Sequence, residues 1–488
     1  MTLKTRAIQG AFWTAASIFG GQLLNLLTTL ILAKLLAPSD FGLVAVALLV
    51  VTTAQIFRDL GLAQALIYRT DHIEEAASTA FFLVIIWGML LCFLISLMAS
   101  QIALFFNEPG ATAVIQVMAL TLVISSFGTV PSALIEKELE FRKKVLPEIL
   151  PIVAYTLTAV ALAAAGYGVW SIVLGRIGQA TLTAILLWRA ARWRLRLSFD
   201  RDIAVEILDY GKHIIGGSIL NVIFLYIDNA YVGRIAGVTA LGFYTFAFAL
   251  ANLPTQTITP TINKVAFPSY VKLRENHGDI ASGYLKSLKL VSVMTFPATL
   301  GLATIAPDLL QVLYADKWNP SILLVQILSI YALFRSIGAL PGSVLLTIGK
   351  QSLIPRLMVI YVVSASILLW PATTWFGATG TSLVMTSVMG IGSIVWLALV
   401  NRYLVISLKR FVMHLAPQIV ASVAMVGWLL ILESLLGESL LSLLILIGSG
   451  AVLYITSLLL LTRGEAYKEV ATVTKALLNL GDPSQSGI

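Results

Sequence analysis

Apolar runs of about 20 residues, the length of a helix that crosses a bilayer, recur along the whole of this 488-residue chain. Fourteen can be read, at roughly 12–36, 41–62, 79–106, 111–135, 148–166, 169–189, 211–233, 240–263, 290–311, 322–347, 354–376, 380–401, 411–432 and 439–462. The stretches between them are too short to fold as a separate extramembrane domain. Only 11% of residues are charged, where soluble domains carry about 25%, and the mean hydropathy is +0.93. The sequence therefore predicts an all-α polytopic membrane protein with about fourteen transmembrane helices.

The runs repeat one plan. Ala33-Lys34-Leu35 followed by Phe41-Gly42 has its counterpart 200 residues later in Gly233-Arg234-Ile235 followed by Leu241-Gly242. Further on, Gln116, Gly128 and Pro131 match Gln326, Gly338 and Pro341, now 210 apart. Chains built from two copies of one hydrophobic plan are typical of transporters, with the substrate path between the copies. Six runs make each copy, so both copies start on the same side and the repeat is parallel. The expected organisation is a six-helix lobe over 1–192, a linker over 193–210 and a second six-helix lobe over 211–405. Two additional helices over 406–462 and a tail over 463–488 complete it. The linker alternates basic and apolar residues (Arg192-Trp193-Arg194-Leu195-Arg196-Leu197), a pattern suited to lying along the inner leaflet.

Basic residues set the expected orientation. With both termini in the cytoplasm, 26 of the 32 Lys and Arg residues fall in cytoplasmic segments, Arg58 among them; Lys34, Arg176, Lys212, Arg234, Lys317 and Arg335 are the exceptions. The net charge of +8 is thereby read as topology and attraction to anionic membrane lipids. It does not suggest nucleic-acid binding. The first run is too long for a signal-peptide core and reads as an uncleaved helix.

Other chemistries lack their residues. Gly349-Lys350-Gln351 is a poor likeness of a phosphate-binding loop. His72, His213, His277 and His414 have no metal-ligand spacing, and the single cysteine, Cys92, has no partner for a disulfide. Neither an enzyme, a nucleotide-driven motor nor a metal site is expected.

Polar residues inside the runs are the candidate site. In the first run Ser17, Gly21, Asn25 and Thr28 share one helical face, and Gly217, Asn221, Leu225 and Asp228 occupy the same positions in the seventh. The second and eighth runs carry Thr52, Gln55 and Asp59 against Asn252, Thr255 and Thr259. These faces are expected to line a cavity between the lobes, with helix packing through small residues as the alternative. Arg335 and Arg176 lie within runs, where a charge costs about 2.5–3.5 kcal/mol even on lenient insertion scales. A guanidinium suits bidentate phosphate recognition. The two arginines, with Asn25, Asn221, Gln55 and Asn252, are therefore expected to bind an anionic, phosphate-bearing substrate. Asp228 is expected to balance the cavity charge or to take a coupling cation.

Several short segments resemble a known family: Asp59-Leu60-Gly61 through Ala65-Leu66-Ile67, Leu134 through Phe141-Arg142, and Asp228-Asn229 leading to Gly233-Arg234 and Gly242-Phe243-Tyr244. Their order is similar to that in Wzx-type polysaccharide flippases of the multidrug/oligosaccharidyl-lipid/polysaccharide exporter superfamily. The resemblance covers nearly the whole chain. It implies two lobes around a central cavity that alternates between inward- and outward-open states. It also implies movement of undecaprenyl-pyrophosphate-linked oligosaccharide repeat units across the bacterial inner membrane for surface polysaccharide synthesis. The family pattern places basic residues at Lys34 and Arg234 and an acidic one at Asp228, beside Gly42 and Gly242. The partners implied are the lipid-linked oligosaccharide, membrane lipids and the polysaccharide polymerase machinery. No cofactor is expected, with H+ or Na+ as candidate coupling ion. A multidrug or small-cation antiporter of the same superfamily is the first alternative, disfavoured because Asp228 is the one carboxylate deep in a run. A non-transporting envelope-assembly factor is the second.

Overall fold

A computed structural model gives the fold. It describes residues 3–462 other than Leu60, Thr70 and Leu197; the side chains of 3–16, 210–219 and Asn221, and the expected tail 463–488, lie outside the described residues. Hydrocarbon offers no partner to a backbone amide, so a lipid-facing chain must bond internally, and the described residues contain helices and no strand. The first six runs form α1 (Leu3–Leu35), α2 (Pro38–Asp59), α4 (Ile73–Phe105), α5 (Ala111–Lys137), α6 (Arg142–Ala164) and α7 (Val169–Ala191), with a short α3 (Leu62–Tyr68) after α2. The seventh lies in α8 (Arg201–Tyr231), which ends in a π-helical turn, Val232–Ala236. Then follow α9 (Val238–Glu275), α10 (Ile280–Tyr314), α11 (Pro320–Gly338), α12 (Leu340–Thr347), α13 (Leu353–Tyr403), α14 (Leu408–Glu433) and α15 (Leu440–Thr462). Twelve stretches among the described residues are long and apolar enough to cross a membrane; α13 counts once among them although it holds two runs, and α8 is not among them. The molecule is a polytopic all-α membrane protein.

Helix starts carry the expected caps. Asp200 accepts from the amides of Asp202 and Ile203 at the start of α8. Asp279 accepts from Ser282 N before α10, and Ser407 from Arg410 N before α14. Each such cap is worth about 1 kcal/mol.

The chain divides into two compact units between Thr245 and Phe246, inside α9 rather than in a linker. The expected linker 193–210 is half helical, because α8 begins at Arg201. Its non-helical part belongs to the first unit: Arg192, Arg194 and Arg196 are exposed, while Trp193 and Leu195 pack against Leu66, Phe81, Val130, Ile203 and Ile207. Arg196 pairs with Glu74 at 2.5 Å and Arg69 with Glu206 at 2.7 Å. A second cluster of this unit joins Leu32, Leu36, Val44, Tyr155 and Ala159.

The core of the second unit gathers Tyr284, Leu288, Val291 and Phe296 of α10 with Leu340 and Leu345 of α12 and Val400 of α13. The two helices beyond the repeat, α14 and α15, pack on each other through Met425, Leu429, Leu446 and Leu458, with Val293 and Ile305 of α10 against them. Tyr454 of α15 donates to the Val293 carbonyl at 2.9 Å.

One turn shows the repeat in the backbone. Gly168, before α7, has φ 53 and ψ −133; Gly377, which breaks α13, has φ 57 and ψ −141. This region is essentially closed to residues with a Cβ. In α13 the chain then folds so tightly that a Cβ on Gly380 would stand 2.0 Å from the Ala372 carbonyl oxygen, and Thr373 and Thr381 hydroxyls meet at 2.7 Å. Strain at such a backbone costs about 1–3 kcal/mol. Gly377→Ala is therefore expected to lower the Tm of the detergent-purified protein by several degrees. An unchanged Tm in the same melt would show that the turn accepts a side chain.

Candidate functional site

Within the first unit a cavity of about 410 Å³ lies among α2, α5 and α7. Each helix contributes one polar stripe at helical spacing: Thr52 and Gln55 from α2, Thr121, Ser125 and Thr129 from α5, and Arg176, Gln179 and Thr183 from α7. Gly128 leaves room on the α5 face, where a Cβ would meet Leu187 at 3.0 Å. No lining residue is a carboxylate.

The hydroxyls are largely satisfied within their own helices. Thr52 donates to Leu48 O, Thr121 to Met118 O, Ser125 to Thr121 O and Thr183 to Gln179 O. This back-bonding uses the hydroxyl proton and turns oxygen lone pairs outward. The donors that can reach a guest are the long side chains. Arg176 Nη1 donates to Gln179 Oε1 at 3.0 Å, which leaves the Gln179 amide nitrogen as donor. The guanidinium lies over the Tyr155 ring at 4.4 Å, and its buried Nε has no partner among the described residues. A cationic donor set beside neutral acceptors suits an anion flanked by hydroxyl groups.

A second guanidinium stands beside this cavity. Arg58, expected in a cytoplasmic segment, is only 7% exposed. It pairs with Asp59 at 2.5 Å and donates to Ser125 Oγ and to the Leu122 carbonyl, so α2 and α5 are joined through a residue that also lines the cavity. Sequence reading missed it because its position at the end of a run looks like a loop.

The second unit answers with the partners exchanged. Arg335 of α11, 210 positions after Ser125, donates through Nη1 to Asn252 Oδ1 of α9 at 3.2 Å. Asn252 is fully buried and its Nδ2 donates to Phe248 O. Thr255 Oγ1 donates to the Ala332 carbonyl at 3.0 Å, and Ala332 stands 210 positions after Leu122. Among the described residues neither Arg176 nor Arg335 forms an ion pair.

The predicted residues thus fall into separate groups. Arg176 and Gln55 share the first unit's cavity, and Arg335 and Asn252 are bonded in the second unit. Asn25 donates to Gly21 O in its own helix at 2.9 Å, while Thr28, one turn on, meets Thr156 of α6 at 2.6 Å. The Asn221 side chain lies outside the described residues. Asp228 is 2% exposed and accepts from Tyr244 Oη at 2.6 Å and from the Asn229 amide at 2.8 Å. Arg234 lies over the Phe105 ring at 5.2 Å, and Lys34 is exposed at the end of α1. Of the residues not foreseen, Gln179 and Thr183 were within reach, since they follow Arg176 at three and seven positions.

Comparison with known proteins agrees with this architecture. The lipopolysaccharide biosynthesis protein WzxC of Escherichia coli K12 is 27% identical over 71% of this chain and 71% of its own length. The teichuronic acid biosynthesis protein TuaB of Bacillus subtilis 168 is 25% identical over 72% of this chain and 73% of its own. Among solved structures, the lipid II flippase MurJ in an inward closed conformation has the same fold, with a TM-score of 0.75 over 93% of this chain and 98% of that one, at 14% identity. An inward-facing multidrug resistance transporter of the MATE family superposes with a TM-score of 0.57 over 83% of this chain and 95% of that one, at 15% identity. The family described as polysaccharide biosynthesis protein matches residues 31–323, more than half of the sequence, and the chain belongs to that family.

Proposed function

We propose that this chain is a flippase that carries undecaprenyl-pyrophosphate-linked oligosaccharide repeat units across the bacterial inner membrane by alternating access, for surface polysaccharide synthesis. The observation that carries the reading is the cavity lined by Arg176, Gln179, Gln55 and back-bonded hydroxyls without a carboxylate. A guanidinium in low dielectric attracts phosphate strongly, and amides with hydroxyl oxygens match sugar hydroxyls. An exporter of cationic drugs needs the opposite charge in such a place. Relatives with polysaccharide pathways in their names support the cargo class: lipopolysaccharide for WzxC, teichuronic acid for TuaB and succinoglycan transport for ExoT of Rhizobium meliloti. In this reading the protein performs no covalent chemistry. Arg335 with Asn252 is the second unit's contribution to substrate contact.

The same proposal places both termini in the cytoplasm and the chain beside the polysaccharide polymerase machinery. H+ or Na+ is the coupling ion, and Asp228 the group that senses it, through the hydrogen bond to Tyr244 that its ionised form accepts.

Arg176→Ala in the native host lacking its chromosomal copy is expected to cut surface polysaccharide at least tenfold at normal membrane abundance. A hydrogen bond to a charged group is worth about 1.5–3 kcal/mol, roughly ten- to a hundredfold. Arg176→Lys should restore part of the loss, because an ammonium lacks the planar fork. Wild-type polysaccharide from Arg176→Ala would overturn the reading. In the same strain, reporter fusions after Arg194 and Lys272 should read cytoplasmic and a fusion at Asp316 external; a reversed pattern would overturn the orientation.

A further inference from the structure

The two repeats touch at a place where each supplies the same residue. A Cβ built on Gly42 of α2 would stand 1.8 Å from the carbonyl oxygen of Val238. On Gly242 of α9 it would stand 1.8 Å from the carbonyl oxygen of Pro38 and 3.1 Å from the amide nitrogen of Gly42. Residues 38 and 42 are thus matched with 242 and 238, each 200 positions from its counterpart. That reciprocity is the mark of a two-fold contact between identical surfaces, here within one chain. Both obstructing atoms are backbone, so no rotamer change relieves them. Real Cβ contacts do not fall below 3.0 Å, and even alanine would force the two helices apart by more than 1 Å.

The contact also lies where the two compact units join in sequence. The first unit ends at Thr245, three residues beyond Gly242, and α9 continues from Phe246 in the second. The segment that leads to it packs at the end of α4, where a Cβ on Gly233 would meet the Phe106 ring at 3.0 Å and Arg234 lies over Phe105, and it is closed on itself by the Tyr244–Asp228 hydrogen bond. The π-helical turn Val232–Ala236 and Gly237, with φ 92, deliver α9 to the crossing.

We propose that the Gly42–Gly242 crossing is the outer gate: a dry backbone-to-backbone contact between the repeats that parts when cargo leaves on the non-cytoplasmic side. The gate rests on the transport reading and orientation given above. Glycine at both positions gives close approach without side-chain interlock, so the contact seals when closed and separates without unthreading anything. A single added methyl group on either helix wedges it.

Two measurements test this. In a Cys92→Ala background, Val46→Cys reports on the α2 face one turn below Gly42, where Val46 is fully buried. Adding Gly42→Ala should raise its labelling by an impermeant maleimide from outside the cell at least tenfold. An unchanged rate, with or without a loss of thermal stability, overturns the gate and leaves a packing glycine. The second measurement leaves the glycines intact. Ser39→Cys with Thr239→Cys, the residues following Pro38 and Val238, should abolish surface polysaccharide export when bridged by a short reducible cross-linker and regain it on reduction. Undiminished export from fully bridged protein overturns the proposal. Labelling involves no cargo, so an error in the cargo class leaves that arm standing, whereas a rate indifferent to Gly42→Ala defeats the gate whatever is carried.

Discussion

Hydrocarbon provides no hydrogen-bond partner, and most of this structure follows from that constraint. It makes the backbone helical, and it acts on hydroxyl side chains in the same way. Thr52, Thr121, Ser125 and Thr183 each donate to a carbonyl three or four residues back, so a helix face that looks like a row of ligands has already used its protons. Longer side chains keep donors to spare even when they bond locally, as Arg176 does with Gln179 of its own helix. In the first unit the long side chains on the cavity wall are Gln55, Arg176 and Gln179, and they give the cavity its chemistry.

The same division explains how much was legible beforehand. Every apolar run became a helix, because run length and hydropathy are properties of the chain itself. The repeat was legible in short matches such as Phe41-Gly42 with Leu241-Gly242, and it returns in the paired backbone of Gly168 and Gly377. The polar stripes were harder to read. Asn25, expected to face a cavity, donates to Gly21 within its own turn, a bond that spacing alone does not foretell.

Long-range partners were hidden for a different reason. Asp228 meets a tyrosine sixteen residues onward, across a π-helical turn and Gly237 that set how α9 is presented. Arg58 looked like a loop charge because hydropathy ends where charge begins, yet the packing of α5 against α2 draws its head inward to the Leu122 carbonyl. The two compact units divide inside α9, between Thr245 and Phe246. A basic linker is conspicuous in composition, whereas a division inside a continuous helix leaves no compositional trace.

The exchanged arginines have a consequence for how such proteins diverge. In one repeat the guanidinium that joins the helix pair comes from α2, at Arg58; in the other it comes from α11, at Arg335, at the position equivalent to Ser125. What the two repeats share is a charge in the seam between two helices, not a charge at a given column of their alignment. A cation can therefore cross from one wall of a seam to the other over evolutionary time without the interior losing it. Ancestry traced through aligned residues alone would record that event as two unrelated changes, a loss and a gain.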